Sequence, residues 1–227
     1  MLGPWPAGDE AIDFLSLLSD VNRRRVLEGS TRAAFAAGSI AFHPEGPERP
    51  FVLDRGLARV YTSVPDGRQA TVTFVHRNEL AGGTAIVSHP PRVHIQVVIN
   101  SMLTILDLEK VRSLMASENE VSTALAVHLA ARVRSAFRLI SVRSLGNIRE
   151  RVAYDLLDRA CQSQLEVGRL ECNATHADLA LSIGSSREVV SRALRDLRTS
   201  GIVETAPGLI RVIEPMRMAA IVRGFVI

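Results

Sequence analysis

Arg187 and Glu188 are adjacent, and Arg192 follows one helical turn later, a spacing that gathers all three near one end of a helix. An Arg guanidinium can bond guanine O6 and N7 at once, and a Glu carboxylate can accept from cytosine N4. The trio can therefore read base edges in a G- and C-containing stretch of a DNA major groove. With nothing to position them, the same three residues make an ordinary solvated helix face. The elements around them decide between the two readings.

Residues 175–200, THADLALSIGSSREVVSRALRDLRTS, read as two short helices joined by a tight turn. Thr175 can cap the first, with Asp178 three residues on in a capping-box position and Leu179, Ala180 and Ile183 on its apolar face. Gly184 can take the left-handed conformation that ends a helix. Ser185 or Ser186 can then cap the second helix, whose apolar positions Val190, Ala193, Leu194 and Leu197 recur at helical spacing. Such a unit presents the N-terminal part of its second helix to the major groove.

The residues Thr175-His176-x-Asp178-Leu179-Ala180, Gly184, Ser186-Arg187-Glu188-x-Val190 and Ser191-Arg192 resemble the DNA-binding motif of the CRP/FNR family of bacterial transcription regulators. The resemblance implies an α+β chain: an N-terminal double-stranded β-roll sensor of the cyclic-nucleotide-binding type, a long dimerisation helix and a C-terminal winged helix-turn-helix. It implies base reading by Arg187, Glu188 and Arg192, with Thr175, His176, Ser185, Ser186 and Ser191 supporting the motif or touching the DNA backbone. The implied partners are a second copy of the chain, a palindromic duplex with TGTGA-like half-sites, RNA polymerase and a small-molecule effector of unknown identity, the alternative being a dimer that binds DNA without any effector.

Composition is compatible with this. With 227 residues and 47% apolar residues the chain can build substantial cores. The net charge of +3 and pI near 9.4 are mildly basic, which suits an anionic partner without the charge density of a non-specific nucleic-acid coat. Lys110 is the only lysine, so the basic charge is carried by arginine, the better bidentate group. Cys161 and Cys172 make no disulfide framework and no charged-then-apolar leader opens the chain, so the expectation is a reducing cytoplasm. No apolar run approaches the roughly 20 residues of a membrane span.

Along the chain, Asp9 can cap an amphipathic helix through Ile12, Phe14, Leu15 and Leu18, and a second short helix is expected from Val21 to Leu27. Strands are expected at 51–53, 57–62, 70–74, 95–99 and 103–107, with a hairpin turn at Pro65-Asp66-Gly67 and a tight return at Gly56. These define a β-roll sensor domain over 1–108. A nearly Gly- and Pro-free segment over 109–145 predicts one long helix, on which Ala126, Leu129, Val133, Ala136 and Ile140 form a dimer seam, with Arg132, Arg134 and Arg138 off it. The alternative is a helix packed on its own barrel. A hinge is expected at 142–147, and the DNA-binding domain over 146–227 closes with a β-hairpin wing around Ala206-Pro207-Gly208.

In cyclic-AMP-binding members of the family the β-roll carries a Gly-Glu pair at the start of a short helix, then an Arg followed by a small hydroxyl residue. The corresponding segment is Asn78-Glu79-Leu80-Ala81-Gly82-Gly83, followed by Pro91-Arg92-Val93. Only Arg92 survives, and the Thr-Ser pair of the long helix appears as Ala136-Phe137. The expected effector pocket is thus Gly82, Gly83, Arg92, Val93, Ala136 and Phe137, without the usual cyclic AMP site.

No cofactor is expected. An iron-sulfur cluster normally needs four thiolates, and none stands near the N-terminus. His43, His76, His89 and His94 fall in the β-roll, where haem ligation is a minor alternative. Cys172 and His176 do not complete a zinc set. A cupin-like metal enzyme needs a closely spaced His-x-His with a later Glu and His, a spacing His89 and His94 lack. A nucleotide-binding module without DNA function would leave the helix-turn-helix and wing without a purpose. The chain is therefore expected not to be an enzyme.

Overall fold

The structure, a computed structural model, describes residues 12–223 other than Glu48, Asp66, Arg68, Pro90 and Pro91, with the backbone alone for Arg143, Glu166, Val167 and Arg223. Asp9 lies outside the described residues, as does Asp66 of the expected hairpin turn. The first expected helix is only a 3₁₀ turn at Leu15–Leu17, whereas α1 (Asp20–Leu27) stands where expected, capped by Ser19.

The strands are β1 (Thr31–Phe35), β2 (Ile40–Phe42), β3 (Phe51–Ser63), β4 (Gln69–Val75), β5 (Leu80–Ala81) and β6 (His94–Ile105). They form one antiparallel sheet ordered β1-β6-β3-β4, with β2 on β6 and β5 on β3. β3 and β6 are each one long strand where the sequence predicts two. Gly56 is not a return. It sits inside β3 at φ +115° where the pairing with β6 slips, and a Cβ there would fall 2.0 Å from Ser101 Oγ. The glycine admits a bulge and a close crossing of two strands, and the chain carries on in the same direction.

The short helix α2 (Gly83–Val87) leads towards β6, and the helical region then begins. It is not one helix. α3 (Leu108–Ser117) ends at Glu118, whose extended backbone (φ −120°, ψ 106°) separates it from α4 (Asn119–Leu145). Glu118 is pinned there by Arg25 of α1 at 2.7 Å, and Glu120 accepts from the Ser19 backbone at 2.6 Å, so contacts from α1 hold the corner. α3 buries Val111 and Leu114 against Phe14, Val52 and Leu80, a sensor-domain role.

Gly146 and Asn147 alone separate α4 from α5 (Ile148–Val167), which opens with a capping box between Asn147 and Glu150. Then come β7 (Glu171–Cys172), α6 (His176–Ile183), α7 (Arg187–Thr199), β8 (Val203–Ala206), β9 (Leu209–Val212) and α8 (Pro215–Arg223). β8 and β9 are the expected wing, widened by β7 on the far edge of β9.

The expected hinge is spanned by one hydrophobic core. Leu57, Phe74 and Val98 of the sheet, Leu139 and Val142 of α4, and Val152, Leu156 and Leu157 of α5 belong to it together with α6, α7 and the wing. At its heart is Arg59 of β3, with no exposed surface. Its guanidinium donates to Thr71 Oγ1 (2.6 Å), Gln69 Oε1 (2.9 Å) and Asp158 Oδ1 of α5 (2.6 Å), and stacks 4.6 Å from the Tyr61 ring centroid. The Thr71 hydroxyl also donates to Asp158. Gln96 Nε2 donates to the Cys161 carbonyl (2.9 Å), Gln164 Nε2 to the Val98 carbonyl (2.9 Å), and Tyr154 Oη to the Thr71 carbonyl (3.3 Å). The Cys161 thiol is wholly buried there, and burial pushes its pKa up to about 12 against the pull of Arg59.

Asp158→Ala removes the carboxylate but leaves Arg59 its neutral acceptors, so it is expected to lower stability by about 3 kcal/mol, the low end for breaking a buried ion pair. It should also speed alkylation of Cys161, which lies on α5 and is buried by its docking on the sheet. Urea unfolding and timed reaction with a thiol reagent check the two effects.

Candidate nucleic-acid interface and effector cavity

The local chemistry of residues 175–200 folds as its side chains dictate. Thr175 Oγ1 accepts from the Asp178 backbone N–H (3.2 Å), and Asp178 Oδ2 accepts from the Thr175 N–H (2.8 Å), completing the capping box of α6. Gly184 takes φ +62°, ψ 51° and ends the helix, and Ser186 Oγ caps α7 by accepting from the Val189 N–H. Leu179, Ala180 and Ile183 of α6 and Val190, Ala193, Leu194 and Leu197 of α7 are all buried in the shared core. His176 Nδ1 lies 2.8 Å from Ser191 Oγ, so the first turn of α6 is tied to the middle of α7. Ser182 Oγ donates to Asp155 of α5 at 2.8 Å, holding the pair on its support.

That packing leaves Arg187, Glu188 and Arg192 on the exposed side of α7, at its N-terminal end. The Glu188 carboxylate accepts from its own backbone N–H and from Ser186, and the charges of Arg187 and Arg192 act in the same direction. Its pKa is held below the usual carboxylate value. It is thus an acceptor throughout the neutral range. Ser185 lies in the turn before the helix, half-buried. The wing stands on the Val203–Val212 pairing, with Arg211 within 3.6 Å of Glu171 and 3.5 Å of Glu204.

The sensor sheet encloses a second feature, a cavity of about 150 Å³ between β-roll and α4. Gly82, Gly83 and Val93 of the expected pocket line it; Arg92, Ala136 and Phe137 do not. Arg92 is exposed and faces Glu45 at 3.5 Å across a separate depression shared with His43, Ser63 and His94. Phe137 is 66% exposed on the far side of α4. Two arginines line the cavity: Arg49, which is exposed, and Arg132, bonded to Thr73 Oγ1 (3.0 Å), the Phe74 carbonyl and Glu79 (3.3 Å). His128, one turn earlier on α4, lines the same wall and is 2% exposed. Sequence reasoning missed both, although the four-residue spacing of His128 and Arg132 puts them on one helix face.

The His94 ring stacks on Tyr61 at 4.9 Å and meets His43 edge-on at 5.6 Å, and burial lowers its pKa. Among the described residues no group of three or more His, Cys, Asp or Glu side chains is placed to hold a metal ion. No helix among them is long and apolar enough to cross a membrane.

Comparison with known proteins bears on both features at once. The family model of the Crp-like helix-turn-helix domain matches residues 150–221, and that of the cyclic nucleotide-binding domain matches residues 32–118. The chain belongs to the CRP/FNR family of transcription regulators. It is similar to a CRP-like cAMP-activated global transcriptional regulator of Mycobacterium tuberculosis, 25% identical over 82% of this chain and 85% of that one. It is also similar to the cyclic AMP receptor protein of Thermus thermophilus, 29% identical over 77% and 79%. In fold it matches a putative CRP/FNR-family regulator from Eubacterium rectale, at a TM-score of 0.59 and 22% identity over 93% of this chain and 98% of that one. As a CRP/FNR regulator the protein binds DNA through the helix-turn-helix and controls transcription; proteins of this family are not enzymes.

The capping box generates a direct expectation. Thr175→Ala removes the cap of α6 and should destabilise the protein by about 1 kcal/mol, measurable as a lower midpoint in urea with an unchanged slope.

Proposed function

We propose that this regulator is a cytoplasmic homodimer that reads a palindromic operator with Arg187, Glu188 and Arg192, under the control of a ligand other than cyclic AMP. The observation that carries the reading is the placement of those three side chains on the exposed N-terminal end of a helix whose opposite face is wholly buried. Two-fold symmetry then sets half-site centres about one helical turn, roughly 34 Å, apart. Two arginines and one carboxylate suit a half-site of the TGTGA type, in which G and C supply the matching edges.

The second copy is supported by an apolar stripe on α4. Val133, Phe137 and Ile140 are 54%, 66% and 61% exposed, and with exposed Ala126 and Ala130 they follow the 4-3 alternation of a two-helix seam. Leu129 and Ala136, expected on that seam, are half-buried against the chain's own body, and Phe137 stands in the line instead. Large apolar side chains exposed at regular spacing point to a partner surface.

Cyclic AMP fits poorly. Gly82 offers no carboxylate for the ribose, Arg92 points away from the cavity, Val93 has no hydroxyl, and Arg132 is committed to Glu79.

Arg187→Ala or Arg192→Ala is expected to weaken operator binding by about 1–3 kcal/mol and to relax preference at one base pair. Mobility shifts on a panel of single-substitution operators test this; a loss equal on every sequence would mean phosphate contacts and refute base reading. Val133→Glu combined with Phe137→Glu should give monomers, because each seam would face an unpaired carboxylate with its twin. Sedimentation velocity decides it, and a persisting dimer would place the interface elsewhere.

A further inference from the structure

The cavity between β-roll and α4 is walled almost entirely by apolar surface, with Phe42, Val60, Val75, Leu80, Ile95 and Leu129 among its residues. Its volume, about 150 Å³, matches that of an engineered apolar cavity that stays dry and takes up benzene. One six-membered ring fits such a space, whereas a purine, a ribose and a phosphate together do not. The cavity is not sealed. Exposed Arg49, Val72 and Thr84 contribute to its lining, so a guest can enter from solvent.

The polar side chains buried in the wall are committed to one another or out of reach. Arg132 donates to Thr73 Oγ1 and the Phe74 carbonyl and lies 3.3 Å from Glu79 Oε2, so its charge is balanced within the protein. His128 adds no charge, because burial, aided by the charge of Arg132, lowers its pKa to about 3. Its Nδ1 has no hydrogen-bond partner, but it also has almost no accessible surface, so a guest in the cavity does not reach it. An anion or a hydroxyl entering the cavity would therefore give up its hydration without meeting an uncommitted buried side chain among the described residues. A guest without polar groups meets no such penalty, and burial of its whole surface favours it.

We propose that this cavity is a binding site for a small, uncharged molecule without hydrogen-bonding groups, of the size and kind of benzene or toluene, held by apolar contact alone. The inference rests on the reading of the cavity as the site of a ligand other than cyclic AMP. Calorimetry on the full chain with toluene, phenol, benzoate and cyclic AMP tests it. Toluene is expected to bind, and phenol, its isostere with a hydroxyl, to bind at least about fivefold more weakly, the cost of burying that group without a partner. Benzoate is expected not to bind. Val60→Phe puts a ring into the space and should abolish toluene binding, whereas Leu129→Ala enlarges the space and should admit naphthalene, which the unaltered protein excludes. One variant loses a ligand and the other gains one, so a general loosening of the core cannot produce both results. Absence of toluene binding, phenol or benzoate bound more tightly than toluene, toluene affinity unmoved by Val60→Phe, or naphthalene still excluded by Leu129→Ala would each overturn the assignment. Cyclic AMP bound more tightly than toluene would overturn both the assignment and the reading on which it rests. Operator mobility shifts in the same samples address the effector role separately: toluene bound without a change in operator affinity upholds the ligand class and removes the regulatory reading.

Discussion

A guanidinium with no access to water sits between the two halves of this protein, and much of the architecture follows from the need to satisfy it. An arginine cannot shed its charge, so burying Arg59 is tolerable only with acceptors on every side. They come from three elements: Gln69 and Thr71 on β4, Gln96 on β6 and Asp158 on α5. Because one of the four belongs to the DNA-binding half, the helix that carries the helix-turn-helix is held at a defined place on the sensor sheet. The apolar contacts of Leu57, Phe74 and Val98 with α5 add burial, but they are not directional. The polar set around Arg59 is what specifies the orientation.

The same strands form the wall of the cavity. Side chains alternate across a sheet, so Arg59 and Gln96 face α5 while their neighbours Val60 and Ile95 face inward. On β4 the alternation is broken: Thr71 and Phe74 both face α5 although three residues apart, which requires the extra residue that the register slip opposite Val60 and Tyr61 supplies. Cavity and docked helix are therefore separated by the thickness of one sheet. A ligand that moves β3 or β4 by a fraction of an ångström acts on the geometry of the Arg59 cluster directly, and it can alter DNA binding only to the extent that it binds the two arrangements unequally.

What can be read from the sequence follows the range of the interactions involved. The helix-turn-helix is specified within 26 consecutive residues by caps, a left-handed glycine and a 3.6-residue apolar repeat, so its form and the exposure of Arg187, Glu188 and Arg192 are legible from those residues alone. The β-roll is legible as a class but not in its joints, because a glycine inside a bulge and a glycine inside a turn look alike in one dimension. Gly56 shows this, since what requires it is Ser101, 45 positions away. The cavity is the least legible. Gly82 and the Pro91-Arg92-Val93 segment point to its neighbourhood, yet its polar groups come from α4, which crosses back over the sheet. Nothing local in His128 or Arg132 marks them as facing Gly83 and Thr73.

α4 is where these constraints meet. One of its faces carries His128 and Arg132 into the cavity wall, a second buries Leu139 and Val142 in the core shared with α5, and a third leaves Val133, Phe137 and Ile140 exposed. The helix has no glycine or proline between Asn119 and Leu145, so it has no built-in joint at which to absorb a displacement. A shift at His128 is then transmitted along a rigid element to both the exposed seam and the core beneath the recognition helix. In a dimer joined along that seam, a small rotation of α4 changes the relative placement of two recognition helices, and a half-site spacing fixed by the pitch of DNA converts that placement into affinity. At its other end the helix is anchored: beyond the break at Glu118, Val121, Ala124 and Leu125 of α4 pack with Val111 and Leu114 of α3 in one core, so a turn of the long helix must pivot near its start.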